Sequence, residues 1–377
     1  MNPIIGILIV WTSFAWVWWL LSFRLVSKPK PVAPVSCSPL QPVTLFKPTP
    51  AIHHPSDFFS LKRNIQSWVA QMDGNCELLL GCHEADKVLW QSFCDEMQVQ
   101  HPDAKLVLIT HTNPLDGSAN PKIAWMKKLI PHATGQLWFW SDADIHAPPG
   151  ALQKLRDEYI ACAAKLITCP YIISRAETGA AILDTLYVNA EFYPGVLLLA
   201  RSNAIEFGFG SGMLFSREDF ERCVDIEYLA NSLADDYHLG RMLQPVALSS
   251  CTLTTNATAN SWRGAVSHYR RWQKTVRWNR PGGFASQILV LPLVGWLSAT
   301  MLNPSSPWYW LGSATVLVFD FVAAALLCRQ LRCQLSWRAI AAIPAWSLLR
   351  AGIFISCWLP IPVTWRGQIW HTPFYEK

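Results

Sequence analysis

The 377-residue chain is 51% hydrophobic, with 20 Trp, and only 15% charged. That is too apolar for an ordinary soluble enzyme and too charged for a membrane bundle throughout, so a globular part joined to membrane segments is expected. The net charge of +5 is too small to argue for nucleic acid, and the basic residues gather beside the apolar segments, where anionic lipid headgroups would meet them.

Ile4 to Phe23 is free of charge and long enough to cross a bilayer. It lacks a basic leader and a small-x-small cleavage site, so residues 1–27 read as an uncleaved anchor. Arg24, Lys28 and Lys30 follow, which by the positive-inside rule puts the next segment in the cytoplasm. Residues 28–42 are Pro-rich and read as a linker. Residues 43–284 read as a globular domain. Short β-type runs (Val43–Phe46, Glu77–Leu80, Leu106–Thr110, Leu137–Trp140, Leu166–Cys169) alternate with helical stretches (Asp57–Gln71, Lys87–Gln98, Pro149–Cys162). That alternation predicts an α/β fold with a mostly parallel sheet, whose ligands bind beyond the carboxyl ends of the strands. The 11 Cys contain no C-x-x-C pair; Cys76, Cys82, Cys162 and Cys169 lie in or beside apolar runs and read as reduced thiols of a cytoplasmic domain.

Residues 285–377 read as a C-terminal membrane region of two or three helices. Ile288–Met301 and Trp308–Leu327 are candidate spans, followed by Arg329, Arg332 and Arg338. Ala342–Leu359 is also apolar, but Arg350 sits in its middle. A charge there costs roughly 2.5–3.5 kcal/mol on insertion scales. Either this segment does not span, or Arg350 has a buried partner.

Four motifs carry chemistry. An apolar run, Leu137-Trp138-Phe139-Trp140, opens into Ser141-Asp142-Ala143-Asp144. Two carboxylates beyond a strand end suit Mg2+ or Mn2+ held against a diphosphate, or else form a simple turn. Leu233-Ala234-Asp235-Asp236-Tyr237-His238 offers Asp236 as a general base for an attacking hydroxyl, or else a helix cap. Glu84 and Asp86, just past another apolar strand, could accept hydrogen bonds from a nucleoside or start a helix. Finally, His268, Arg271 and Trp272 share one side of a basic-aromatic helix. Arg271 could clamp a pyrophosphate there, or the run could be a polybasic helix at a membrane surface.

In this order and spacing the motifs resemble the ceramide glucosyltransferase family and its bacterial hopanoid-biosynthesis relatives. That family carries three acidic motifs followed by (Q/R)xxRW. The second acidic motif is similar to Asp142 with Asp144, and the third to Asp236 in Ala-Asp-Asp-Tyr. The last resembles His268 to Trp272, with His where the family has Gln or Arg; Lys274 to Trp278 is a second possible frame. The first acidic motif departs, with Glu84 where the family has Asp. Val43 to Pro48, Asn120-Pro121-Lys122-Ile123, Gly210-Ser211-Gly212-Met213 and Thr364-Trp365-Arg366-Gly367 extend the likeness over residues 43–367.

The resemblance implies a nucleotide-diphospho-sugar transferase domain of GT-A type and a UDP-sugar donor. It also implies a divalent cation (Mg2+ or Mn2+) and an inverting single transfer. The acceptor would be a lipid hydroxyl, of ceramide or hopanoid, at the cytoplasmic face of a multi-pass protein of the bacterial inner membrane. On this reading Asp144, assisted by Asp142, holds the metal. Lys47, Glu84 and Asp86 hold the nucleoside, and Asp236 is the base. Arg271 and His268 stabilise the departing diphosphate, and Trp272 walls the donor. The rivals are a processive polysaccharide synthase, which needs more spans, and a non-catalytic membrane scaffold with a degenerate domain.

Overall fold

The computed structural model describes residues 3–27, 41–257 and 259–375; Lys28, Lys30 and most of the linker expected at 28–42 lie outside the described residues. The chain divides into two compact units. One comprises Met1–Pro29, Ile172–Leu198 and Asn256–Pro373; the other comprises Lys30–Tyr171, Leu199–Thr255 and Phe374–Lys377. In chain order the principal helices are α1 (Pro3–Ser27), α2 (Pro55–Val69), α3 (Lys87–Gln100), α4 (Pro121–Leu129), α5 (Ala151–Ala161), α6 (Asp235–Met242), α7 (Trp262–Asn279), α8 (Pro307–Gln330) and α9 (Ile343–Ser356).

The second unit is built on a seven-stranded sheet. Its strands are β1 (Val43–Pro48), β2 (Cys76–His83), β3 (Lys105–His111), β4 (Leu137–Trp140), β5 (Leu166–Thr168), β6 (Met213–Ser216) and β7 (Val246–Leu248). Their order is β3-β2-β1-β4-β6-β5-β7. All neighbours are parallel except β6, which runs antiparallel to both β4 and β5. Each of the five strands read from sequence is present. The two not foreseen are β6 and β7, of four and three residues.

Successive side chains of a strand point to opposite faces, and this sheet is apolar on both. Leu45, Leu137 and Phe139 pack with Ile65, Trp68 and Phe93 of α2 and α3. Phe46, Trp138 and Trp140 pack on the other face with Ile123, Met126 and Leu239 of α4 and α6. That double burial explains why β4 is an unbroken apolar run. The layers place the carboxyl ends of β1, β2 and β4 side by side, as the expected GT-A type fold requires.

In the first unit, α1 (25 residues) and α8 (24 residues) are long and apolar enough to cross a membrane. Pro281–Val290 and Pro292–Leu302 meet at 59° and form a third span if the bent pair is one; α9, with 14 residues, is shorter. Gly312 of α8 lies under Trp296, whose ring would stand 2.1 Å from an added Cβ, so only glycine permits this approach. Two indoles tie these helices together: Trp296 Nε1 donates to Thr12 Oγ1 at 2.9 Å and Trp11 Nε1 to the Ile288 carbonyl at 2.9 Å. Arg350 has the buried partner its position demanded, Asp320 of α8 at 2.8 Å.

Candidate active site

The β4 strand ends at Trp140, and the chain enters a tight turn in which Ile145 N–H donates to the Asp142 carbonyl at 3.3 Å. Helix α2 pins this turn from below. Asn64 Nδ2 donates to the Asp144 carbonyl at 2.9 Å and Trp68 Nε1 to the Ile145 carbonyl at 3.0 Å. The following helix, α5, begins only at Ala151, so neither aspartate caps it.

Lys47, at the end of β1, is fully buried. Its ammonium donates to Ser141 Oγ at 2.8 Å and to the Asp142 carbonyl at 3.1 Å, above the Trp68 ring. Burial pushes it down to about 7, against Asp142 and Asp144, which favour its charge. Lys47, expected on the nucleoside, lies inside the fold against the acidic turn.

The second acidic motif meets the third across one glycine. The Gly210 carbonyl accepts the Asp142 N–H at 3.1 Å, and the Gly210 N–H donates to Asp236 Oδ2 at 2.8 Å. A Cβ at Gly210 would stand 2.9 Å from Asp142 Oδ2 and 3.5 Å from Asp236 Oδ2, which shows how closely the carboxylates converge. Asp236 does not cap α6; the cap position is Ala234, with no side-chain bond. Burial and the neighbouring Asp235 push Asp236 up to about 6, against the pull of Lys122.

Lys122 is the residue that sequence reasoning left without a role. Asn120 caps α4, accepting the Lys122 and Ile123 N–H groups, with Pro121 at the first helical position. The Asn120 amide also donates to Asp235 Oδ1 at 3.0 Å. This start aims Lys122 Nζ at Asp142 Oδ1, 2.7 Å away, and at Asp235 Oδ2, 3.4 Å away. Burial opposes its charge, but Asp142, Asp235 and Asp236 together outweigh that and hold the ammonium far above its ordinary range. The Asn-Pro-Lys signal was visible as a likeness; only the fold shows what it touches.

Asp144 is exposed, yet surrounding protein partly desolvates it, and together with the Asp142 charge this pushes its carboxyl up. The cluster thus holds four carboxylates (Asp142, Asp144, Asp235, Asp236) against two lysines, and buried Asp235 Oδ2 has no partner beyond the longer ion pair to Lys122. Among the described residues no group of three or more His, Cys, Asp or Glu is placed to hold a metal. Surplus negative charge and hard oxygen donors nevertheless fit a divalent cation that takes its remaining ligands from substrate and water. Asp144 and Asp142 are the carboxylates suited to it.

Glu84 and Asp86 occupy a single helical turn beyond β2. Glu84 is exposed and pairs with Lys87 at 3.3 Å. Asp86 is buried and accepts the Ile52 N–H at 3.0 Å, bracing the loop after β1.

His268, Arg271 and Trp272 lie on α7, in the other unit. His268 Nδ1 is 3.0 Å from Asp184 Oδ2, and its ring lies 4.0 Å from Trp272, which stacks on Tyr187 at 5.0 Å. The Arg271 guanidinium sits over Trp365, 5.6 Å from its centre. Lys274, the alternative frame, is buried and donates to the carbonyls of Leu359 at 2.6 Å and Ile361 at 2.9 Å. Arg277 lies over Trp358 at 4.9 Å. The second frame therefore serves the packing of the segment after α9.

No curated protein matches the chain. Among solved structures it is similar to a mannosyltransferase of Pyrobaculum calidifontis in complex with GDP-Man and Mn2+. The identity is 18%, the match covers 93% of this chain and 99% of that one, and the TM-score is 0.49. It is also similar to residues 1–349 of TarS of S. aureus, at 10% identity over 87% of this chain and 95% of that one, with a TM-score of 0.37. The model of glycosyl transferase family 21 matches residues 5–373, and the chain belongs to that family, the ceramide glucosyltransferase-like one its motifs resemble.

Proposed function

We propose that this sugar transferase moves a single sugar, with inversion, from a UDP-sugar to a hydroxyl of a membrane lipid of ceramide or hopanoid type. Its catalytic unit faces the cytoplasm. The observation that carries the reading is the Gly210 bridge, which holds Asp142 and Asp236 in one acidic cluster beyond the sheet. An inverting transfer needs a carboxylate that takes the acceptor proton while its oxygen attacks the anomeric carbon. Asp236 fits that role, because burial and Asp235 place it near the working pH and Gly210 N–H fixes its orientation.

Asp144, with Asp142, would hold a divalent cation, which supplies charge neutralisation at the leaving diphosphate. Glu84 accepts from the nucleoside, a role that its exposure beyond β2 supports. Asp86 and Lys47 keep the flanking loop and the acidic turn in shape. Arg271, with His268 and the Trp272 wall, meets the diphosphate as the sugar bond breaks. The two helices able to cross a membrane support a lipid acceptor delivered from the bilayer.

The test uses membranes containing the full chain, incubated with a panel of UDP- and GDP-sugars and lipid extract, with products read by mass spectrometry. One hexose added to a sphingoid or hopanoid lipid, from a UDP-sugar, is expected. A polymeric product, a GDP-sugar requirement, or a lack of metal-dependent donor binding by calorimetry would overturn the reading.

A further inference from the structure

Glu191 takes no part in the transfer just described, yet it is the hub of a polar cluster in the first unit. It lies in a π-helical turn, Tyr187–Phe192, a local geometry that recurs at functional positions. The Tyr269 hydroxyl donates to its carboxylate, 2.8 Å from both oxygens, and Gln273 Nε2 lies 3.4 Å from Oε2. Arg350 Nη1 stands 3.8 Å from Oε1. Arg350 is anchored in turn at Asp320, which also accepts from Ser347 Oγ and, at 3.2 Å, from Trp19 Nε1.

Tyr269 and Gln273 are four residues apart on α7 and so share one face. His268 and Trp272 form the adjoining face, with Arg271 beside them. Two successive turns of α7 are thus clipped to a single carboxylate. Side chains reach about 5–6 Å from a helix axis, so a rotation of about 20° would displace them by about 2 Å. A misplacement of about 1 Å can cost on the order of a hundredfold in rate.

We propose that Glu191 is a positioning residue: with Tyr269, Gln273 and Arg350 it sets the rotation of α7, and so the aim of Arg271 and Trp272. This rests on the reading of α7 as the diphosphate-binding helix. The clip does not need a negative charge. Burial pushes Glu191 up to about 7 against Arg350 and Tyr269, and a neutral carboxyl still accepts from both donors.

The test compares Glu191→Ala, Glu191→Gln and Tyr269→Phe, alone and combined with Arg271→Lys, in membranes containing the full chain. Glu191→Ala should lower kcat about tenfold, with KM for the lipid within twofold, and Glu191→Gln should recover most of the loss. In the Arg271→Lys background, Glu191→Ala should cost less than twofold, because the face it aims is already impaired. A full tenfold loss in that background, or wild-type turnover of Glu191→Ala, overturns the proposal. An unimpaired Arg271→Lys enzyme would instead reject the diphosphate reading, and the proposal with it. Should Glu191→Ala fail to accumulate, Tyr269→Phe with and without Arg271→Lys probes the clip through one of its donors: a kcat loss that shrinks in the Arg271→Lys background supports it, and an undiminished loss overturns it.

Discussion

The acidic cluster of the α/β unit and the polar cluster of the unit that holds the long apolar helices pose the same problem and solve it differently. In the first, Lys122 stands among Asp142, Asp235 and Asp236. In the second, Arg350 stands between Asp320 and Glu191. Both clusters hold more acid than base. The Asp142 side chain, however, keeps 41% of its exposure, whereas Arg350, Asp320 and Glu191 keep 5%, 3% and 17%. Surplus charge open to water can be answered by a cation or a substrate that comes and goes. Sealed surplus must be answered within the fold, by hydroxyl, indole and amide donors or by a proton. Accessibility, more than residue type, separates the two clusters.

The largest expected effect comes from breaking the open cluster at its base. Asp236→Asn should remove transfer, by roughly 10²–10⁴-fold or more, while donor binding measured by calorimetry stays near wild type. Wild-type-like turnover would reject the base assignment. The pH profile sharpens the point. Asp236 acts only when ionised, so kcat should rise through about pH 6 and level off above it. Lys122→Met removes the charge that lowers the Asp236 pKa, and its acid limb should move to higher pH. A limb that stays put would show that Lys122 does not act on this carboxylate.

Next comes the sealed cluster. Arg350→Leu leaves Asp320 buried with hydroxyl and indole donors but no cation, and should cost about 3–5 kcal/mol of stability. Arg350→Leu with Asp320→Leu removes both charges and should recover much of that loss, as read by thermal unfolding in nanodiscs. Losses that simply add in the double variant would mean that the pair is not a closed unit.

The sequence shows these two regions unequally well. The strands of the sheet were legible because burial on both faces leaves unbroken apolar runs such as Leu137 to Trp140. Asp142 and Asp144 were legible because they directly follow an apolar strand, and Asp236 because it is one of two adjacent carboxylates. The Arg350 problem was legible as a cost, but its answer was not: Asp320 lies 30 positions away on another helix, and no periodicity joins them. Lys122 was hidden for the same reason, since the acids it joins are distant in sequence. The surroundings of Lys47 were not legible either: only the packing of Trp68 and Ser141 shows that its ammonium faces inward.

The smallest effect separates two neighbouring frames on α7. Lys274 and Arg277 repeat the spacing of His268 and Arg271 with a Trp after each arginine, so the sequence alone allows either pair to serve the donor. Lys274, however, is buried with its ammonium on two carbonyls beyond α9. Hydrogen bonds from a charged donor are worth about 1.5–3 kcal/mol, so Lys274→Met should lower the unfolding temperature modestly. Donor KM and kcat should stay within twofold, because the ammonium itself is buried and already spent on two backbone carbonyls. If the folded variant instead lost transfer at unchanged stability, the catalytic frame would have to move about 1.7 turns along the helix. Arg271 would then become the packing residue.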